Sequence, residues 1–369
     1  MNPEKQYCSK CFMISSFPNI EFNEEGLCHF CEKLSEPQAK NKLQEALNID
    51  KLEELETIAD KIKREAREKK LKYDCIIGAS GGFDSTYVIY VAKKLLDLNP
   101  LVIKYDNGIC HELANTNLKE ACKILGVDLI IEPVTKNERG YILNATKALL
   151  NLGVFFTACF SCHYIIASVA YWHAKRLNIR YMLTGTNHIE KNLAQASHGF
   201  MLKSLIKGCF RCNLIKMLKI IYYEVIAQYY FVKLKYQYDG FSLRFFRNLF
   251  RLHPVAPHFV EKIDISEYVG WNWPKIENIL REELHWDTPR RTRVPYFRFD
   301  CHFSALIDKS FKRVTGLSEH ALLCNWFAQS GFVSKEEIRS DFNYMNDDTR
   351  IDKEIRIVME KLDIHESKS

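Results

Sequence analysis

The sequence predicts an α/β protein: a doubly wound parallel sheet, preceded by a small cysteine-bearing module and followed by a mostly helical region. Three observations predict it. Short apolar runs alternate with helix-length segments from Tyr73 onward. A glycine turn, Ser80-Gly81-Gly82-Phe83-Asp84-Ser85, sits between the first such run and the first such helix. Two Cys-x-x-Cys pairs fall within the first 35 residues.

Taken in order, residues 1–35 read as a metal-binding module and 36–72 as a helical linker, with apolar positions Leu43, Leu47, Leu52, Leu55, Ile58 and Ile62 at mostly three-and-four spacing and Ile49 out of step. Residues 73–200 form the α/β unit. Cys75 to Gly78 is a strand, Thr86 to Leu96 a helix, Leu101 to Ile103 a strand and Glu112 to Leu125 a helix. Asp128 to Val134 and Tyr181 to Thr184 are further strands. Residues 148–174 carry no Lys, Arg, Asp or Glu. That run is long enough to cross a bilayer, but its Thr157, Ser161, His163 and Ser168 and its place inside the alternation make it a buried core helix. Residues 201–253 interleave tyrosines (222, 223, 229, 230, 236, 238) and Phe231 with Lys216, Lys219, Lys233, Lys235, Arg244, Arg247 and Arg251. This pattern suits RNA or a membrane surface. The reading preferred here is a helical insertion whose aromatics pack on the core while its lysines are solvated. Residues 254–369 read as mostly helical, with charged, frayed last residues.

The chain has 369 residues, 47% hydrophobic and 27% charged, which excludes global disorder. A net charge of +6, from 52 basic and 46 acidic residues, suits an anionic substrate without implying nucleic acid. No apolar secretory segment is visible at the start, so a reducing cytoplasm is expected, and closely paired members of the 13 cysteines read as metal ligands rather than disulfides.

The strongest chemical signal is Ala79-Ser80-Gly81-Gly82-Phe83-Asp84-Ser85-Thr86. Adjacent glycines allow a tight turn and close ligand approach, and free amides at the mouth of the next helix attract phosphate. Ser80, Ser85 and Thr86 add hydroxyls, and Asp84 adds a carboxylate suited to Mg²⁺. This loop lacks the lysine of a Walker-type loop. It resembles the pyrophosphate-binding loop of the PP-loop ATP pyrophosphatase superfamily, whose members adenylate a carbonyl or carboxylate and release pyrophosphate. The resemblance implies ATP held by residues 79–82 and 84–86, with Ser80, Asp84 and Ser85 catalytic. Asp106, in Tyr105-Asp106-Asn107-Gly108, ends a strand at the edge where open α/β sheets bind ligands. Gly185 and Thr186, in Thr184-Gly185-Thr186-Asn187-His188, resemble the second nucleotide-contacting segment of that superfamily.

Cys8-x-x-Cys11 and Cys28-x-x-Cys31 have the spacing of a closed four-cysteine Zn²⁺ site. So small a module has too poor a core to fold without a metal. Its wider sequence, Cys8-Ser-Lys-Cys11-Phe-Met13 and then Pro18-Asn-Ile20-Glu-Phe22-Asn23-Glu-Glu-Gly26-Leu-Cys28-His-Phe-Cys31, resembles the N-terminal module of bacterial N-acetyl sugar amidotransferases. Those proteins also carry a Ser-Gly-Gly-x-Asp-Ser loop, in the same order. Looser matches follow at Gly270-Trp271, Asp300-Cys301-His302 and Ser334-Lys-Glu-Glu337. The resemblance implies ATP-dependent conversion of the acetamido group of a (nucleotide-)sugar into an acetamidino group, for lipopolysaccharide O-antigen or flagellin glycan. With Asn at position 2 there is no N-terminal cysteine nucleophile for glutamine hydrolysis. The resemblance implies that ammonia arrives from a separate glutaminase, through a cyclase-like channel subunit, and no nucleic-acid partner is expected.

A second cysteine set, Cys159-x-x-Cys162 and Cys209-x-x-Cys212, with Cys301 or His163 as a completing ligand, suits zinc or an iron–sulfur cluster. Buried, unliganded cysteines are the alternative. His111, His188 and His302 lie near the segments expected to line the crevice, each more plainly read as an ordinary polar surface or core residue. Two rival functions remain: a tRNA-modifying thiolase-like adenylating enzyme, and a non-enzymatic nucleotide-binding scaffold with peripheral membrane contact.

Overall fold

The computed structural model describes residues 6–35, 48–152, 158–185, 214–241, 243–248, 256–293, 299–331 and 333–364. Its centre is a five-stranded, all-parallel sheet in the order β3-β2-β1-β4-β5. The strands are β1 (Cys75–Gly78), β2 (Pro100–Asp106), β3 (Asp128–Pro133), β4 (Tyr181–Thr184) and β5 (Glu261–Asp264). The fold is the doubly wound α/β class expected. After β3 the chain crosses back to the other side of β1, and β4 pairs there with Ile77 opposite Leu183. The strand order therefore reverses between β1 and β4, which opens a crevice at their carboxyl ends.

The strands share their side chains between two cores, as their period of two requires. Cys75, Ile77, Val102, Tyr181 and Leu183 face one cluster, while Ile76, Leu101, Ile103 and Met182 face the other. The first core is covered by α2 (Leu52–Glu68), α3 (Phe83–Tyr90) and α4 (Glu112–Leu125), joined by α9 (Trp273–Leu284) and α11 (Glu319–Ser330). The second is covered by α5 (Lys136–Leu152), α6 (Ala158–Arg176), α7 (Leu214–Asp239), α10 (Ser304–Thr315) and α13 (Asp348–Lys361). Short helices α1 (His29–Ser35), α8 (Leu243–Asn248) and α12 (Arg339–Met345) complete the described set.

Three differences from the sequence reading have physical causes. The helix after β1 begins at Phe83, with Gly82 as its extended N-cap, and widens into a π turn over Val91–Leu95. Asp84, Ser85 and Thr86 therefore lie in its first turn. β5 belongs to the region read as helical. Its sequence, Glu-Lys-Ile-Asp, is short and charged because it forms an exposed edge. The stretch 148–174 is divided between α5 and α6, and among the described residues no helix is long and apolar enough to cross a membrane.

α7 departs from the expectation that its aromatics are covered. Ala227, Phe231 and Leu234 face the core, and Tyr230 packs against Gly140 of α5. The opposite side carries Leu218, Tyr222, Val225, Tyr229, Val232 and Tyr236, each 41–63% exposed. These follow one another at intervals of four and three residues, so they form one continuous apolar stripe. Lys235, expected in solvent, is buried and lies 4.1 Å from the centre of the Phe231 ring.

Candidate phosphate loop and metal centre

β1 delivers its carboxyl end to the loop. Ala79 N donates to the Ile103 carbonyl at 2.9 Å, and beyond it the chain leaves the sheet. Gly81 adopts φ +89°, and a Cβ there would lie 2.0 Å from the Ala114 carbonyl oxygen. Only glycine fits, because the turn is pressed against the first turn of α4. The hydroxyls stiffen the loop from within. Ser85 Oγ accepts from Ser80 N at 3.2 Å, Ser80 Oγ accepts from Gly82 N at 3.2 Å, and Thr86 Oγ1 donates to the Gly82 carbonyl at 2.8 Å. Ser80, Ser85 and Thr86, read as phosphate donors, thus also shape the turn. As at any helix start, the first-turn amides of α3 lack intrahelical acceptors, which makes them available to an anion.

Three residues that the sequence reading did not assign to the site hold this loop. Lys104 in β2 is 1% exposed, and its Nζ donates to the Ser80 carbonyl at 2.6 Å. Its signal was a lone lysine inside an apolar strand. Trp271 Nε1 donates to Asp84 Oδ1 at 2.6 Å, and Trp286 Nε1 donates to the Gly81 carbonyl at 3.1 Å. Both indoles arrive from the C-terminal region, so their roles depend on tertiary packing. Trp271 also abuts Gly185, where a Cβ would meet its ring at 2.7 Å and Val88 Cγ2 at 2.6 Å. Gly185 therefore lets the β4 turn close onto α3 and the loop.

Asp106 ends β2, and its Oδ1 accepts from Gly108 N at 3.0 Å. Asn107 caps the same turn through Ile109 N at 2.9 Å, while its Nδ2 donates to Cys301 Sγ at 3.3 Å. Residues 109–111 and 300–302 form a short antiparallel bridge. His111 N donates to the Asp300 carbonyl and His302 N donates to the Ile109 carbonyl. Asp300 lies 3.8 Å from where a Gly82 Cβ would stand, so this bridge borders the loop. Burial pushes the Cys110 thiol up to about 11 despite the nearby Lys104 charge, which keeps it in the neutral form.

The N-terminal cysteines do converge. Cys8, Cys11, Cys28 and Cys31 are all 0% exposed, with Cys8 and Cys31 sulfurs 3.7 Å apart and Cys11 and Cys28 sulfurs 3.7 Å apart. Zinc–thiolate bonds of about 2.3 Å at tetrahedral angles place sulfurs about 3.8 Å apart, so the spacing fits a metal such as zinc. Backbone amides support the sulfurs: Met13 N donates to Cys11 at 3.4 Å and Cys28 N to Cys8 at 3.3 Å. Gln329 Nε2 of α11 donates to Cys11 Sγ at 3.5 Å. The module is bound into the first core. Phe12 stacks on Phe342 with ring centres 4.0 Å apart, and Phe12 N donates to Asn325 Oδ1 at 2.6 Å.

The second cysteine set is not assembled among the described residues. Positions 159 and 162 fall on α6, but their side chains, together with His163, Thr186, His188, Cys209 and Cys212, lie outside what is described. Cys301 sits instead beside Asn107 and opposite Cys110.

No protein-family model matches the chain. A curated relative, the uncharacterized protein MJ1599 of Methanocaldococcus jannaschii, is 28% identical over 181 residues, which is 48% of this chain. The match spans 58% of that relative's length. Its name assigns it no activity.

Proposed function

We propose that the chain is an ATP-dependent amidotransferase. It would transfer AMP to the acetamido oxygen of a (nucleotide-)sugar, release pyrophosphate, and let ammonia displace AMP to leave an acetamidino group. The observation that carries the proposal is the loop from Ser80 to Thr86. It lies at the carboxyl end of β1, where the strand order reverses, and runs into a helix mouth with an indole-anchored carboxylate. Phosphate recognition follows from these amides. The sugar class rests on the sequence resemblance.

An amide oxygen is a poor leaving group. Adenylation makes it one: the oxygen attacks the α phosphorus of ATP, the α–β bridging bond breaks, and pyrophosphate departs into the loop. Ammonia adds to the activated carbon, a proton is lost, and AMP leaves with the original oxygen. Mg²⁺, if held by Asp84, neutralises charge on the phosphates. The chain itself orients ATP through the loop amides and keeps Asp84 in position through Trp271. Ammonia would come from a separate glutaminase, and zinc in the four-cysteine cluster would be structural.

The test is incubation of the purified protein with ATP, ammonium and a panel of acetamido sugars, read by mass. Exchange of oxygen for NH lowers the sugar's mass by about one unit, and AMP and pyrophosphate appear in equal amounts. ATP left intact with every sugar, or Asp84→Ala consuming ATP as fast as wild type, overturns the proposal. The exposed stripe of α7, flanked by solvated Lys219, Lys233 and Arg247, favours a second reading as a tRNA-modifying adenylating enzyme. Steeply salt-dependent tRNA binding with thiolated product would select it.

A further inference from the structure

We propose that His111, His302 and Glu354 form a second metal site, for a divalent transition ion of the zinc class, with coordination positions left open to water or a substrate atom. The three side chains come from distant parts of the chain: the N-cap of α4, the 300–302 bridge and α13. Each offers one ligand atom, and these atoms all lie within 4.8 Å of one another. The imidazole rings have centres 4.8 Å apart and planes inclined by 36°. His302 is 7% exposed and its Nδ1 is hydrogen-bonded to Glu354 Oε2.

The surrounding backbone fixes this arrangement. Reciprocal bonds between residues 109–111 and 300–302 lock the two histidines side by side. Lys361 Nζ donates to the Cys110 carbonyl at 3.2 Å, which ties the end of α13, and hence Glu354, to the same bridge. Two imidazoles with one carboxylate suit a borderline ion better than Mg²⁺ or Ca²⁺, which prefer oxygen alone. Three protein ligands leave a tetrahedral ion incomplete, unlike the closed four-cysteine cluster.

An ion seated between His302 Nδ1 and Glu354 Oε2 takes the place of the hydrogen bond that now joins them, and the proton of that bond goes to solvent. His111 Nδ1 already accepts from Leu113 N at 3.1 Å. Ligation through Nδ1 takes that lone pair directly, and ligation through Nε2 moves the ring proton onto Nδ1, so by either nitrogen binding gives up one helix-capping bond. The Leu113 amide becomes a reporter, because its NMR signal must shift on metal addition if His111 is a ligand.

The experiment loads the full chain with Zn²⁺, then with Co²⁺, and counts metal by elemental analysis. Wild type should hold one equivalent more than either His302→Ala or Glu354→Gln. The variants should keep the full thiolate-to-cobalt charge-transfer band, because the lost ion has no sulfur ligand. That band also shows that the variants have folded. Equal metal content in wild type and both variants overturns the site, as does a lost equivalent that takes thiolate absorbance with it. Neither result bears on ATP chemistry, so the site stands or falls independently of the proposed reaction.

Discussion

Trp271 Nε1 donates to Asp84 Oδ1 at 2.6 Å, joining residues 187 positions apart. The indole is 1% exposed and lies edge-on to Tyr87 of α3, so it fixes the carboxylate from within the core. Trp271→Phe keeps most of this packing and removes the donor. A hydrogen bond to a charged group contributes about 1.5–3 kcal/mol. ATP consumption should therefore fall roughly tenfold to a hundredfold, while the melting temperature changes much less than for Trp271→Ala. Unchanged turnover in Trp271→Phe would show that the orientation of Asp84 is immaterial.

Gly81 and Gly26 offer a matched comparison. Both have positive φ, +89° and +73°, but a Cβ at Gly26 meets nothing within 4 Å, whereas at Gly81 it would strike the Ala114 carbonyl at 2.0 Å. Gly26→Ala should cost only the left-handed strain of about 1–2 kcal/mol. Gly81→Ala adds a backbone collision, so its urea midpoint should fall further, and nucleotide binding should be lost with it. Equal midpoints for the two variants would mean that the loop can swing away from α4 at no cost.

The sheet was legible where local chemistry is strong. β1 and β4 are short apolar runs buried on both faces, and α4 is bounded by its His111 cap and by Gly126 in the left-handed conformation. The four-cysteine spacing was equally direct. β5 was missed because an edge strand of alternating charges resembles a solvated helix or loop. Lys104, Trp271 and Trp286 were not assigned to the loop for a different reason. Their partners lie 24, 187 and 205 residues away, and no periodicity encodes a contact over such separations. His111 and His302 were noted one by one, but their meeting with Glu354 appears only once α13 is placed.

Cys8→Ser tests the metal cluster. It leaves three sulfurs around a site that needs four, so bound zinc measured by elemental analysis should drop by about one equivalent. The damage should spread beyond the module, because Phe12 and Met13 contact Asn325 of α11. Proteolysis should then open residues 319–345 as well as the N-terminus. Full zinc content in the variant would rule the cluster out as a zinc site.

Asp308 gives a pH-dependent prediction. It is 0% exposed, receives His320 Nδ1 at 2.9 Å and Arg350 Nη2 at 2.7 Å, and so joins α10, α11 and α13. Burial alone would raise its carboxyl, but the charges and hydrogen bonds of His320 and Arg350 outweigh that and hold it below the ordinary value. A carboxyl depressed in the folded state stabilises above its unfolded value, near pH 4, and loses that contribution as pH falls through the lower folded value. Asp308→Asn leaves Arg350 buried without its counter-charge, which costs roughly 3–5 kcal/mol at neutral pH. The stability gap between wild type and Asp308→Asn should therefore be widest near pH 7 and narrow steadily below about pH 4. A gap that stays constant down to pH 3 would mean that neutral hydrogen bonds, and not the ionised carboxylate, hold the three helices together.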